Sequence, residues 1–209
     1  MYASHVPQIA TAMRADQSVF CRGVMFAILS ARVQFPRVPT QCKELATRKA
    51  NAACLWGWKF DAYAYLSEHS ATLYGLVVPD QDTARALFNI TRIPGMGIVK
   101  GAFVLQMLGH DIACLDIRNI MKDGRSPRAY RCDGGSTKEG AAHKRKIDCY
   151  IADTQGKAQF YWDRWCTEVA ADYNSLPERI SELHLTSIVP RAMRGMMMSV
   201  PIQPGELPF

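Results

Sequence analysis

Two features of this chain carry chemistry by residue type and spacing: the turn Ile93-Pro94-Gly95-Met96-Gly97, and the carboxylate of Asp116 further along. A proline pushes the residue before it out of the α region, so Pro94 ends the preceding helix. Gly95 and Gly97 permit backbone angles and close approaches that a side chain would block. The next helix then starts with unpaired N–H groups, and these donors, together with the positive end of its dipole, suit a phosphate. Gly95, Met96 and Gly97 are therefore candidate phosphate contacts. Lys100, one turn in, is expected to face the same anion, and Gly101 lets the two helices approach closely. A plain connector with a Pro-Gly stop would use the same residues, and short motifs of this kind arise by chance. An aspartate directly after an apolar segment is likewise often only a helix N-cap.

The elements that must position these groups read as helices, and strand signals are weak throughout. Ser18–Val33 has apolar residues at helical intervals, and Gln41–Trp58 and Phe60–Tyr74 read as two further helices. Pro79-Asp80-Gln81-Asp82 reads as a helix start with carboxylates in its first turn. That helix is expected to reach about Thr91, with Ala84, Leu87 and Phe88 on one face. An apolar helix follows from Ile98 to Leu108, stopped by Gly109. Residues 124–142 are rich in glycine, serine and basic side chains and read as a basic, mobile loop. Helices resume over His143–Asp153, Ala158–Tyr173 and Pro177–His184. Met193 and Met196–Met198 are expected to fill a core gap or dock the tail, and residues 200–209 to form an extended end. The expectation is one compact all-α domain over residues 1–209.

Charge narrows the partners. The chain has 209 residues and a formal net charge of +6. Residues 92–146 contain eleven Lys/Arg and five Asp/Glu, so all of the excess lies there and the remainder is neutral. Positive charge concentrated in this way is an electrostatic footprint for a phosphate backbone, although a solvated basic loop would carry it too. His143-Lys144-Arg145-Lys146 at a helix start could clamp a strand; a solvated face is equally consistent. The seven cysteines form no C-x-x-C pair and no Cys/His cluster with zinc spacing, so reduced thiols and no metal are expected. No apolar run is long enough to span a membrane, and the N-terminus lacks the layout of a signal peptide. An intracellular site is the expectation.

Taken together, the apolar-Pro-Gly-x-Gly hairpin, the apolar helix Val99–Leu108, Gly109, a short loop and Asp116 resemble the helix-hairpin-helix DNA glycosylase superfamily. Ile28-Leu29-Ser30-Ala31-Arg32 is similar to that family's early helix ending in Leu-Ser-x-Gln, whose glutamine fills the gap left in the duplex. The resemblance covers residues 17–120, with 80–120 as the hairpin and catalytic-aspartate segment. It implies a two-lobed helical fold, the lobes interleaved in sequence, with the active-site cleft between them, and double-stranded DNA as the partner. It also implies Asp116 as the catalytic carboxylate and a cytoplasmic, nucleoid-associated location. Breaking an N-glycosidic bond builds positive charge on the sugar, as in glycoside hydrolysis. A fixed carboxylate stabilises that charge, once the base has been everted from the stack.

The chain departs from that pattern in informative places. The Schiff-base lysine of lyase-type members falls on Val99, with Lys100 one step later, which implies a monofunctional reaction. One step rotates a helical side chain by about 100°, although Lys100 is kept as a second catalytic candidate. Asp-Thr-His is replaced by Asp116-Ile117-Arg118, and Arg118 becomes a candidate for a phosphate or a charged substrate group. Arg32 stands at the gap-filling position, where its stacking and donor fork can still serve. The iron–sulfur cysteines are missing, so no cofactor is expected. In its small size the chain is also similar to phage-encoded glycosylase-like proteins that transfer amino acids or amines onto activated thymine derivatives in DNA. A non-catalytic DNA-binding module using the hairpin alone is the third reading. Lys144 and Arg145 are further DNA candidates. Trp162 and Trp165 lie in an aromatic segment whose helical spacing favours core packing over a base-stacking platform, and Trp56 and Trp58 take the same reading.

Overall fold

In this computed structural model, residues 2–31, 57–126, 128–131 and 140–169 are described, apart from the side chains of Phe60, Arg118, Glu168 and Val169. Every regular element among them is a helix: α1 (Tyr2–Ala15), α2 (Gln17–Leu29), α3 (Trp58–Val77), α4 (Thr83–Ile90), α5 (Ile98–Met107), α6 (Ile117–Lys122), α7 (Ala141–Thr154) and α8 (Ala158–Val169). The all-α expectation holds for the described residues. The expected helix over Gln41–Trp58 lies outside them except at its last two residues. Arg32, residues 132–139, the helix at Pro177–His184, the methionine cluster and the tail also lie outside.

The core forms around two apolar helices. In α2, residues from Phe20 to Leu29 are buried almost without a break, and α1, α3 and α5 pack around it. In α5 every residue except Val99 and Lys100 is buried. A helix that is apolar nearly all round has to be covered on all sides, and α1, α2 and α4 supply that cover for α5. α7 leans on α4, and α8 on α1.

Helix α1 buries His5, Val6, Ile9, Ala10 and Met13, a stripe at helical spacing that runs past Pro7 inside the helix. Arg14 at its end closes two other helices. Its guanidinium donates to the Leu108 carbonyl at 2.8 and 3.1 Å and to the Val78 carbonyl at 3.0 Å. A cation there satisfies terminal carbonyls and complements the negative ends of α3 and α5.

The start of α4 differs from the expectation. Its carboxylates precede the first turn: Asp82 is the N-cap, accepting from the Ala84 and Arg85 amides at 2.9 and 3.1 Å. Asp80 accepts from the Asp82 amide and holds Arg85 in a two-pronged ion pair at 2.6 and 2.7 Å. The buried face of α4 is Ala86, Leu87 and Ile90, with Ala84 and Phe88 only half-buried. The first part of the basic loop is fastened: Arg125 and Tyr130 bond to each other and both engage Asp153 on α7. Tyr130 is buried edge-on against Tyr150, so its ring covers part of α7.

Candidate nucleic-acid interface and carboxylate site

The hairpin joins α4 to α5. The Ile93 carbonyl accepts from the Met96 amide at 3.0 Å, with Pro94 second and Gly95 third at φ +71°. Proline followed by a left-handed glycine is the sequence that a type II turn demands. Ile93 and Met96 point into the core, anchoring the turn from beneath. Met96, expected at a phosphate, is therefore corrected on two counts: its side chain is buried and its amide is already used within the turn. Gly95 is doubly constrained, because a Cβ there would lie 2.2 Å from the Trp58 indole, which covers the turn. Gly97 is the N-cap of α5 and has no side chain to cap the first-turn amides of that helix. Gly101 brings the helices of the hairpin together: a Cβ there would meet Ile90 and Leu87 at 2.8 and 2.9 Å.

Thr91, at the end of α4, bonds His143 Nε2 at 2.9 Å, and both are buried. This contact fixes the start of α7 beside the hairpin. Lys144 and Arg145 are exposed there, and Arg92 is exposed at the foot of the turn. Lys146 donates to the Arg131 carbonyl at 2.8 Å. The start of α7 is therefore held against the end of α4 by a histidine whose role sequence spacing does not reveal.

Lys100 does not point at the hairpin amides. Its ammonium donates to Ser30 Oγ at 2.9 Å, at the end of α2, and lies 5.6 Å from the centre of the Phe103 ring. This corrects the expectation that it faces phosphate. Lys59, itself buried, donates to the neighbouring Leu29 carbonyl at 3.0 Å, so two ammonium groups meet the negative end of α2.

The segment from α5 to Asp116 is held at nearly every step. Gly109, at φ +86°, allows the Gly109 and His110 amides to bond the Gln106 and Leu105 carbonyls, which is a Schellman closure. His110 then bonds Thr83 Oγ1 at 3.1 Å through Nδ1. Gln106, 1% exposed, receives the Cys114 amide at 3.1 Å and donates to the Ala158 carbonyl at 2.7 Å. Tyr150, fully buried, receives the Leu115 amide at 2.9 Å and donates to the Ala113 carbonyl at 2.7 Å. Two buried side chains from α5 and α7 thus satisfy three successive residues immediately before Asp116. Burial drives the Tyr150 hydroxyl well above its ordinary pKa, keeping it a neutral donor and acceptor. Burial also pushes the Cys114 thiol up to about 12, against the pull of Lys100, so it stays protonated at neutral pH.

Asp116 itself is half-buried and is the N-cap of α6, with Oδ1 accepting from the Asn119 amide at 2.8 Å. No donor among the described residues engages Oδ2. Arg118 falls in the first turn of α6, and Arg32 lies outside the described residues.

The aromatic candidates separate. Trp162 is 1% exposed and packs against Tyr2, Phe103 and Trp165, so it is core and is corrected as a base-pocket residue. Trp165 is half-buried with its ring edge-on to Phe103 at 5.3 Å. No group of three His, Cys, Asp or Glu side chains able to hold a metal occurs among the described residues. No described helix is long and apolar enough to cross a membrane.

Comparison with known proteins gives no neighbour: no protein-family model, no curated protein and no solved structure matches this chain.

Proposed function

We propose that this chain is a DNA-binding enzyme of glycosylase type, in which the Pro94–Gly97 hairpin grips a backbone phosphate and Asp116 acts on the sugar of an everted nucleotide. The reading extends the all-helical fold to a two-lobed one, with the active-site cleft between the lobes. It rests above all on the double grip of Gln106 and Tyr150, which delivers a half-exposed carboxylate at the end of a rigid loop, one of its oxygens unengaged among the described residues. A fixed negative charge already in place when positive charge develops has no reorganisation cost at the moment of reaction. The same oxygen can orient or deprotonate the attacking nucleophile. With Val99 at the lyase position and Lys100 tied to Ser30, the reaction is monofunctional base release by water. The partner is double-stranded DNA carrying a modified or damaged base, met in the cytoplasm at the nucleoid.

A second reading is transfer of an amine or amino acid to an activated thymine derivative in DNA. Lys59 and Lys100, gathered at the end of α2, favour it, since a phosphorylated leaving group needs cations. Asp116 would then deprotonate the amine. Duplexes carrying modified bases, incubated with and without an amine donor and resolved by nucleoside mass spectrometry, separate the readings. A released base supports the first, and a heavier base retained in the strand supports the second. Duplex binding with neither product, unchanged in Asp116→Asn, leaves a non-catalytic hairpin module.

A further inference from the structure

The aromatic segment at the start of α8 faces two ways. Trp162 is core, whereas Phe160, two residues earlier, is 60% exposed, the large exposed aromatic among the described side chains. The Arg164 guanidinium, one turn on, lies over its ring at 5.8 Å from the centre, and Tyr161 meets it edge-on at 5.1 Å. Arg164 is held in turn by Asp123 at 3.2 Å, and the Tyr161 hydroxyl donates to the same carboxylate. A ring backed by a fixed guanidinium has little freedom left to lose when a flat partner settles on it.

We infer that Phe160 and Arg164 form a stacking platform for an unpaired strand of DNA, whose phosphates meet the cations beside them. The inference goes beyond the duplex reading above, because it gives this face a ligand of its own and uses neither the hairpin nor Asp116.

Two observations select this occupant. The first is charge. Bonds at Asp123 and Asp153 join the end of α6, the stretch after it and the start of α8 into one surface. Lys122, Arg125, Arg128 and Lys157 lie in these segments beside Arg164. Asp123 and Asp153 are each engaged by an arginine, and Asp111 accepts the Gly156 amide at 2.8 Å. Lys157 donates to an uncharged acceptor, the Asp153 carbonyl, at 2.8 Å, so that bond leaves its positive charge uncancelled. An aromatic ring set among cations is the combination that single strands use, bases on the ring and phosphates on the charges.

The second is the company the ring keeps. A specific subunit contact buries roughly 800 Å² on each side around an apolar centre, and the described neighbours of Phe160 are a guanidinium and a phenol edge. One ring is instead the unit on which one base stacks. Within a duplex both faces of each base are already covered by its neighbours, so an open base face is offered by an unpaired strand.

The test compares two fluorescein-labelled strands of about twelve nucleotides, oligothymidylate and an abasic strand with the same phosphates, by anisotropy on the full chain. Wild type is expected to bind the thymidylate about tenfold more tightly, and Phe160→Ala to lose about tenfold on that strand alone. Phe160→Trp keeps a ring and is expected to keep the preference. Lys157→Ala is expected to weaken both strands equally and to lower the salt slope by about 0.7. Phe160 is exposed, so folding is retained, and thermal melting verifies this. Equal binding of the two strands by wild type, or an undiminished preference in Phe160→Ala, overturns the platform. A wild-type dimer that Phe160→Ala converts to monomer, seen by sedimentation, also overturns it, since the ring is then a subunit contact. Oligouridylate bound about tenfold more tightly than oligothymidylate assigns the face to RNA and overturns the DNA occupant. Duplex binding without strand binding removes this platform and leaves the glycosylase reading standing; strand binding without duplex binding does the reverse.

Discussion

Asp116 is an N-cap, and the proposed function gives it a second role that can be separated chemically from the first. As an N-cap it needs only an oxygen that accepts the Asn119 amide, and asparagine caps as well as aspartate. As a charge stabiliser it needs its negative charge. Asp116→Asn is therefore expected to leave unfolding in urea within about 0.5 kcal/mol of wild type while lowering single-turnover base release by about 10²–10³-fold. Asp116→Ala removes both functions and is expected to lose, in addition, about 1 kcal/mol of stability. Equal activity in Asp116→Asn and wild type would reduce the residue to a cap. Gly95 is tested by stability alone. Gly95→Ala forces a Cβ into the Trp58 ring at a left-handed backbone position, and a loss of about 2 kcal/mol or more is expected on thermal melting. Trp58 also shows how the residue scale escapes sequence reading. Its role as a cover for the glycine turn depends on a contact between positions far apart in the chain, which no local spacing records.

At the scale of elements, the loop before Asp116 is as rigid as the buried side chains that hold it. Tyr150→Phe removes the partner of the Leu115 amide and the Ala113 carbonyl, and leaving such groups unmet in the interior costs about 1–3 kcal/mol. Amide exchange at Cys114 and Leu115 is expected to accelerate more than at α5, and base release to fall in kcat while KM stays within about twofold. A fall in stability with unaltered loop exchange and unaltered kcat would show that Tyr150 supports the core and not the carboxylate. The hairpin and its flanking helices were legible because glycine and proline at a turn are local signals. Gly109 as the stop of α5 was legible for the same reason. Helix α1 has no counterpart in the sequence reading, as Pro7 breaks the look of a helix that packing nonetheless stabilises. Gln106 carried one trace, a lone amide in an otherwise apolar run from Phe103 to Leu108, which is the mark of a buried and satisfied polar group. Tyr150 and the Thr91–His143 bond carried none, because each joins segments distant in sequence. Lys100 was misdirected by reasoning from its helix alone, when the hydroxyl it reaches belongs to α2.

For the molecule as a whole, affinity and stability respond to different charges. DNA binding should weaken linearly as the logarithm of salt concentration rises, and Lys144→Ala and Arg145→Ala should each reduce that slope by about one. A slope unchanged in the double variant would move the phosphate contacts away from α7. Stability responds through His110, where α5 ends against the start of α4. Burial, with the nearby Arg14 guanidinium, holds its pKa below the ordinary 6.5 despite the opposing pull of Asp80. A group whose folded pKa is depressed binds its proton more readily in the unfolded chain, so its contribution is intact above pH 6.5 and is lost as pH falls from there through the folded value. The wild-type melting temperature is therefore expected to decline on acidification from pH 7 to pH 5. His110→Asn, which keeps a polar side chain near Thr83 Oγ1 but cannot titrate, is expected to flatten that decline while starting from a lower melting temperature at pH 7. Parallel curves for the two proteins would place the acid sensitivity elsewhere. Because the same residue leads into the loop that carries Asp116, loss of activity over this pH range in wild type should track the loss of stability at His110, and the variant should retain its own activity further into acid.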